Sequence, residues 1–232
     1  MKRVLLLFSF IAFVAATNAQ NVQLHYDLGE GRKMLTSTVE MFRPDKYGST
    51  FFFVDMDYGS DISGLDNGIS LAYWEIARAF KWNETQKFMP RVEFNGGTMN
   101  VGSNIWIPIE RCWLAGLERT WASADFSKIF TLQANYKYIK DKEDAAFQIT
   151  GVWTIQMLEG KLTFCGFADF WKEGMDWTFD GKDDTDFRFL SEPQLWYNPC
   201  KNFSFGTEVE VSNNFVGDEF AVKPTLAVKY TF

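Results

Sequence analysis

The C-terminal segment 220–232 constrains the possible fold more than any other part of the sequence. Counted back from Phe232 in steps of two, its residues are apolar or aromatic in one phase and small or polar in the other. A period of two indicates a β-strand with one apolar and one polar face. Aromatic residues at both ends of the apolar face are typical of strands that cross an outer membrane, where they lie at the two lipid interfaces. The rest of the chain must then supply further strands of this kind.

The N-terminal residues have the pattern of a secretory signal peptide. A charged start and an apolar run over 4–16 precede Ala19, which ends a segment typical of a signal peptidase site. The apolar run is too short to cross a bilayer as a helix, and the alternative of a buried N-terminal strand stays open. We predict a signal peptide at residues 1–19 and a single outer-membrane barrel domain at residues 20–232.

Charge and composition narrow the class of protein further. The 23 basic and 30 acidic residues give a net charge of −7, and removal of Lys2 and Arg3 leaves 21 − 30 = −9. This charge argues against nucleic acid as a partner. Beyond the signal peptide no apolar run is long enough for a membrane helix, so a membrane protein with this sequence must be a β-barrel. The 24 Phe and 9 Trp residues suit two aromatic girdles.

Twelve strand-like segments follow the predicted signal peptide, an even number as in single-chain bacterial barrels. The remaining 232 − 19 = 213 residues allow about 18 for each strand and connection. Segment 68–81 is ambiguous, because its pattern also fits an amphipathic helix, and we interpret it as a strand. The fold prediction is therefore an all-β, antiparallel, up-and-down transmembrane barrel. The segments lie at approximately 21–28, 34–43, 49–58, 68–81, 88–94, 110–121, 127–140, 146–158, 161–172, 186–197, 203–213 and 220–232.

The connections between these segments alternate in length. Three of them, 59–67, 95–109 and 173–185, are long and rich in Gly, Asp and Asn, whereas the intervening ones are short. In outer-membrane barrels the short turns face the periplasm and the long loops face outside. This pattern predicts that both termini lie on the periplasmic side.

The sequence gives little support for catalysis. His25 is the only histidine, so a His-rich metal site is excluded and a Ser-His-Asp triad would depend on this one residue. The sequence contains no phosphate-binding Gly loop and no Cys-x-x-Cys pair. The three cysteines have no paired spacing and are predicted to be unpaired. We predict no catalytic residue, no metal and no cofactor.

The phase opposite to the lipid face predicts which side chains line the lumen. Nine acidic and six basic residues in this phase suggest charge ladders and no strong ion filter. The rings in this phase either fill the interior or contact a solute, and composition alone favours neither. The charged set is Glu40, Asp55, Asp57, Arg78, Arg91, Glu93, Glu118, Lys137, Asp169, Arg188, Glu192, Glu208, Glu210, Lys223 and Lys229, and the aromatic set is Phe51, Phe53, Trp74, Phe167, Trp171 and Trp196.

Four stretches carry a resemblance to a known family. They are 35–58, 112–138, 162–171 with its GFADF element, and the closing 226–232, LAVKYTF. In order and spacing these stretches resemble the Tsx-type nucleoside-specific channels of Gram-negative outer membranes, in a shorter and divergent branch. The resemblance implies a twelve-stranded porin-like barrel in the bacterial outer membrane and nucleoside transport.

The residues and the resemblance together predict a channel for passive uptake of small polar solutes, and nucleosides are the leading candidate. The predicted substrate-binding residues are Phe51, Phe53 and Asp55 on one strand and Phe167, Asp169 and Trp171 on another. Rings can stack on a base while carboxylates accept hydrogen bonds from ribose hydroxyls.

Two alternatives stay open. One is a barrel enzyme acting on lipid or lipopolysaccharide, which would require a serine beside His25. The other is a structural barrel plugged by Phe51, Phe53, Trp74 and Trp171. The expected partners besides the solute are outer-membrane lipid and the barrel-assembly machinery, because a chain that ends on Phe232 resembles the C-terminal insertion signal of outer-membrane proteins.

Overall fold

The computed structural model describes residues 19–29, 32–60, 65–102, 105–142, 146–176, 181–183 and 185–232. Apart from Ala19, the predicted signal peptide lies outside these residues. The described chain is built from β-strands. They are β1 Ala19–Asp27, β2 Leu35–Asp45, β3 Gly48–Ser60, β4 Leu65–Phe80, β5 Met89–Asn100, β6 Trp106–Ala122, β7 Lys128–Ile139, β8 Ala146–Met157, β9 Leu162–Met175, β10 Thr185–Ser191, β11 Gln194–Tyr197, β12 Phe203–Asn213 and β13 Phe220–Thr231.

The strands form one closed antiparallel barrel. Apart from β10 and β11, which do not pair with each other, each strand pairs with its neighbours in sequence, and β1 pairs with β13 to close the sheet, with His25 opposite Ala227. β10 and β11 are two halves of one strand, because both pair with β9 and with β12. If β10 and β11 are counted as one strand, the barrel has 13 − 1 = 12 strands. This confirms the predicted strand number and fold class.

The interruption between β10 and β11 lies at Glu192 and Pro193. The register does not change there, since Ser191 pairs with Ala168 and Gln194 with Cys165. Pro193 has no N–H to donate, but its carbonyl accepts a hydrogen bond from Val209 at 3.0 Å. Opposite this interruption, Gly166 has φ +147°, and a Cβ there would lie 2.4 Å from the Glu192 carbonyl oxygen. Only glycine accommodates this close backbone approach.

The two faces of the barrel have the polarity of a membrane protein. Along β13 the outward residues Leu226, Val228 and Tyr230 are exposed, whereas Thr225 and Ala227 in the opposite phase are buried. Many of the buried side chains are polar or charged, the reverse of a soluble domain. Apolar side chains that are exposed all around a closed sheet match a lipid-facing belt. Among the described residues, no helix is long and apolar enough to cross a membrane.

Segment 68–81 is a strand, as predicted, since all of it except its last residue belongs to β4 Leu65–Phe80. The predicted long connections were too long, because β5 continues to Asn100 and β6 begins at Trp106 inside the expected loop 95–109. The strands likewise enter 59–67 and 173–185. Gly and Asn suggested loops there, but a closed sheet tolerates them where neighbouring strands supply the hydrogen bonds. We name the end that carries the 46–47 turn, Ala19 and Phe232 the turn side, and the opposite end the loop side.

Candidate functional site in the barrel lumen

The two predicted rows of residues lie on opposite walls of the lumen. Moving from strand to strand around the barrel, β9 is six strands away from β3 in either direction. One path passes through β4–β8, and the other through β2, β1, β13, β12 and the strand formed by β10 and β11. Strand pairing places Phe51, Phe53 and Asp55 on the same face as the inward residues of β2. It places Phe167, Asp169 and Trp171 on the same face as those of β8. All six predicted side chains therefore face the interior.

The row on β3 consists of two aromatic rings followed, toward the loop side, by a carboxylate. The ring centroids of Phe51 and Phe53 are 5.9 Å apart, and Tyr73 of β4 lies 5.9 Å from Phe53. The Thr38 hydroxyl donates to Asp55 Oδ1 at 2.5 Å. All four side chains are half-buried. This wall thus offers rings and a carboxylate that a solute in the lumen can reach.

The row on β9 is divided between accessible and covered side chains. Phe167 and Asp169 are half-buried, and Asp169 accepts a hydrogen bond of 2.5 Å from the Thr150 hydroxyl. Trp171 is only 5% exposed. The Lys137 ammonium lies 4.5 Å from its ring centroid and the Arg188 guanidinium 5.8 Å. Its ring is therefore occupied by cations and is not open to stack on a base.

Residues from the loop side complete the cover over Trp171. The Phe215 ring meets the indole edge-on at 6.0 Å. Arg188 donates to the carbonyls of Asn214 and Phe215 at 2.8 and 2.9 Å and pairs with Glu173 at 2.9 Å. The connection between β12 and β13 is thus fastened across this part of the loop-side mouth.

The inward residues of β2, β3 and β4 form the part of the lining that we call the open arc. Their carboxylates are held by neutral groups: the Thr36 hydroxyl donates to Asp57 at 2.6 Å and the Tyr73 hydroxyl to Glu75 at 2.7 Å. Within the described chain, no basic side chain lies within 4.0 Å of any carboxylate in this arc. The arc comprises Thr36, Thr38, Glu40, Phe51, Phe53, Asp55, Asp57, Tyr73 and Glu75.

The inward residues of β5 to β8 form a second part of the lining, the buried arc. Arg91 contacts Glu93 directly and lies 3.3 Å from Glu118. Lys137 donates to Gln148 at 2.9 Å. Buried polar and charged side chains fill this part of the lumen, and Arg91, Asn95 and Asn135 each keep a buried polar atom without a hydrogen-bond partner among the described residues. The arc comprises Arg91, Glu93, Asn95, Leu114, Glu118, Gln133, Asn135, Lys137, Gln148 and Thr150, all buried.

Acidic groups approach one another across the lumen. Asp169 of β9 interacts electrostatically with Glu75 of β4, and Asp55 of β3 interacts with Glu192 and Glu208. Acidic groups from several strands therefore share the interior of the barrel.

Two predicted lumen residues face outward. Strand pairing places Trp74 opposite Val54 and Arg78 opposite Thr50, both on the lipid-facing side. Arg78 bonds Asp45 at 2.7 Å, at the turn-side end of β2. Its charge suggested the lumen, but at the membrane boundary a charged side chain can face outward. The prediction for Trp74 was wrong for the same reason, since the two residues share one phase, and Trp74 cannot plug the lumen.

Sequence reasoning missed several lumen residues. The inward phase of β4 carries Tyr73 and Glu75, whose alternation with Trp74 could have been interpreted either way. Arg32 lies in a connection, outside any strand phase, yet it pairs with Asp27 at 2.7 Å and with Glu210 at 2.8 Å. No periodic signal could have assigned Arg32 to the lumen.

The wall at the β1–β13 seam is also filled. Trp196 is fully buried, with its ring centroid 6.0 Å from that of His25. His25 is 3% exposed and hydrogen-bonds the Thr225 hydroxyl at 3.1 Å and Gln23 at 2.9 Å. Its partners do not supply the serine that a barrel hydrolase would need.

Cysteines and metal ligands add nothing to the site. The three cysteines are free, as predicted. In the part of the chain that the structure describes, no three His, Cys, Asp or Glu side chains are grouped to hold a metal ion.

Comparisons with known proteins place the barrel among porins by shape. Residues 19–232 match the family model described as "Domain of unknown function (DUF5020)". No curated protein sequence matches the chain. The structure of the NanC porin is similar with a TM-score of 0.58 and 12% identity, covering 92% of this chain and 100% of that one. The KdgM porin is similar with a TM-score of 0.53 and 11% identity, covering 92% and 99%.

Proposed function

The chain belongs to the DUF5020 family, and from its barrel we propose that it is a channel for passive entry of small polar solutes. The closed sheet and its lipid-facing belt are those of an outer-membrane protein. The observation that carries the proposal is the open arc, where half-buried rings and carboxylates face the lumen without basic partners. Carboxylates that lie in the interior without a paired cation cost stability, which favours a role in contacting a solute.

Nucleosides are the solutes that we propose first. Phe53 and Phe167 offer rings on opposite walls, and Asp55 and Asp169 offer carboxylates one step further toward the loop side. A base can stack on a ring, which contributes about 1–3 kcal/mol per base, while the ribose hydroxyls donate to a carboxylate. The sequence resemblance to Tsx-type channels supports the same solute class.

The role of Trp171 in this proposal differs from that of the other five predicted residues. Because cations and Phe215 cover its ring, Trp171 holds the wall in place and does not stack on the solute. Phe51, Phe53, Asp55, Phe167 and Asp169 remain the proposed contacts. Several weak contacts suit transport, since one tight site would slow the exit of the solute.

Swelling of liposomes that contain the refolded protein tests this function. The parent should admit nucleosides faster than sucrose, and Phe167→Ala and Asp169→Ala should lower the nucleoside-to-sucrose ratio severalfold. Phe170→Ala is the matched control, because Phe170 lies beside Asp169 on β9 but faces lipid. Each variant is first checked for the migration of a folded barrel on an unheated gel.

An unchanged ratio in both folded variants would mean that the β9 row only packs. A parent that admits neither solute would favour the second candidate, a plugged structural barrel. The contacts that support this alternative are the cover over Trp171 and the complete burial of Trp196. The enzyme alternative lacks comparable support, because His25 is bonded to a threonine and a glutamine.

Assembly and export complete the proposal. We propose that β13, which ends beside Phe232, is recognised by the barrel-assembly machinery, and that residues 1–19 are removed on export. Phe232 lies at the turn side, where its N–H donates to the Gln20 carbonyl at 3.0 Å. The predicted cleavage after Ala19 would cut at the first residue of β1.

A further inference from the structure

A separate cavity lies at the turn-side mouth of the barrel, outside the two rows. Its volume is about 390 Å³, and it is lined by residues of β9, β12 and β13 and of the turns 158–161 and 198–202. This volume is within the range of pockets that hold small molecules, roughly 300–1,000 Å³. None of the proposed solute contacts in the two rows lines it.

The charge of this cavity is opposite to that of the chain. Lys161, Lys201 and Lys229 line it, against a single carboxylate, that of Glu159. The chain as a whole carries a net charge of −7, and the open arc is acidic. In the described chain, none of these three lysines has a carboxylate within 4.0 Å. Three ammonium groups around one concavity produce a local positive potential.

The deepest of these lysines is held in place. The Lys229 ammonium lies 3.9 Å from the centroid of the Trp196 ring, which is fully buried. Trp196 is itself fixed by a hydrogen bond of 2.8 Å from its indole N–H to Gln194. A Cβ at Gly206 would lie 2.5 Å from the Trp196 ring, so the glycine provides the room for this indole. Glu40 and Glu208 act on Lys229 only from a longer distance.

The rim of the cavity is also ordered by hydrogen bonds. The Asn198 amide donates to the Gly160 carbonyl at 2.8 Å and to the Thr163 hydroxyl at 2.9 Å. The Ser204 hydroxyl donates to Asn198 at 2.7 Å. The Thr163 hydroxyl accepts from Asn198 in this arrangement, so its own proton is free to donate into the cavity. The two turns are thereby locked together around the lysines.

We propose that this cavity binds a small anion through its carboxylate or phosphate group. Lys229 would contact the anionic group from the floor, Lys161 and Lys201 from the rim, and Thr163 would donate its hydroxyl proton. Charge-assisted hydrogen bonds of this kind are about twice as strong as neutral ones. The site does not depend on passage through the lumen, and a plugged barrel would retain it.

Cys200 supplies the means to test the site, because this exposed free thiol also lines the cavity, whereas Cys112 is buried. The full chain, refolded in a non-ionic detergent, is treated with an uncharged maleimide, and the rate of Cys200 modification is measured. Inorganic phosphate and galacturonate are the probes, glucose is the uncharged control, and sodium chloride keeps the ionic strength constant. Cys200→Ser gives the background rate of the other two thiols.

We expect at least one of the two anions to slow the modification saturably, and the more protective anion identifies the chemical class. Lys229→Gln should raise the half-protection concentration about tenfold or more, as expected for the loss of a charged hydrogen-bond partner. Lys161→Gln, on the exposed turn, tests the site without disturbing the packing around Trp196. Lys46→Gln is the matched control, since Lys46 also lies over a ring, that of Tyr47 at 4.6 Å, but outside the cavity.

Two results would overturn the proposal. One is the absence of protection by both anions beyond the effect of chloride. The other is a half-protection concentration that stays the same in Lys229→Gln and Lys161→Gln. Both measurements report binding and not swelling, so a failure here is separate from a failure of the channel function.

Discussion

The open arc and the buried arc belong to one sheet and line the same lumen, yet their charged groups have different partners. In the buried arc Arg91 neutralises Glu93 and Glu118, and the side chains are almost completely covered. In the open arc Asp55 and Asp57 rely on the hydroxyls of Thr38 and Thr36. The difference indicates that one side of a narrow lumen can provide stability while the other keeps groups available for a solute. Four predictions test this comparison.

Arg91→Met should have the largest effect. It leaves Glu93 and Glu118 buried without a cation, and breaking a buried ion pair in this way costs about 3–5 kcal/mol. The free energy of unfolding would be measured in lipid vesicles with urea, by tryptophan fluorescence.

Arg119→Met is the control for that measurement. Arg119 faces outward and contacts only the rings of Trp121, at 4.7 Å, and Phe88, at 5.3 Å, among the contacts described. Its loss should cost about 1 kcal/mol or less. Equal losses for the two arginines would show that the buried arc does not stabilise the barrel through its charges.

An arginine on the lipid face should lower the free energy of unfolding equally on a strand of the open arc and on a strand of the buried arc. Val54 lies on the outer face of β3 and Leu132 on that of β7, each near the middle of its strand. Val54→Arg and Leu132→Arg should each destabilise the barrel by about 2–4 kcal/mol. Val54→Ile and Leu132→Ile serve as controls in the same unfolding assay. A large difference between the two arginine variants would mean that the arcs differ outside the lumen as well.

Gly206→Ala should have a smaller effect, at the wall between the two arcs. The added Cβ would lie 2.4 Å from the Leu195 carbonyl oxygen and 2.5 Å from the Trp196 ring, and overpacking of this kind costs about 1–3 kcal/mol. At Gly151 a Cβ would meet only the Phe130 ring at 3.5 Å. Gly151→Ala should therefore change the unfolding free energy by less than about 0.5 kcal/mol. The opposite order of the two variants would contradict the packing described around Trp196.

Asp55→Asn should change stability least, by less than about 1 kcal/mol, because the amide oxygen can still accept from Thr38. The expected change is in selectivity, since one carboxyl group is replaced by an amide in the open arc. Reversal potentials of single channels in a salt gradient would shift away from cation preference. A loss of stability comparable to that of Arg91→Met would remove the distinction between the arcs.

The architecture could be predicted from the sequence because every strand of a barrel repeats the same alternation of apolar and polar residues. In β7 and β13 the alternation between lipid-facing and lumen-facing residues is nearly complete, and both strands lie where predicted. In β4 both phases mix apolar and charged residues, so the phase that contains Trp74 and Arg78 was assigned to the lumen wrongly. The charge of Arg78 near the end of the strand led to this assignment, although its neighbours in the same phase, Ile76 and Phe80, are apolar.

For the candidate site, the sequence predicted which side chains of a single strand face the lumen, but not the contacts between strands. Periodicity placed the rings and carboxylates of β3 and β9 inward, but it contains no information about which side chains cover them. The cover over Trp171 comes from Lys137, Arg188 and Phe215, which lie on β7, on β10 and in a connection. Likewise the turn-side cavity depends on residues of two turns that are distant in sequence. Such contacts follow from the closure of the sheet and not from any local pattern.

The seam between β1 and β13 has a consequence for the order of folding. His25 and Thr225 meet there across 200 positions of the chain, whereas all other strands except β9 with β11 and β10 with β12 pair only with their immediate successors. Hairpins can therefore form early, but closing so long a loop carries a large entropy cost and depends on the last strand. Until β13 arrives, two unpaired edges remain, and such edges are prone to aggregate. The lifetime of the open sheet is then set by the delivery of the C-terminal strand.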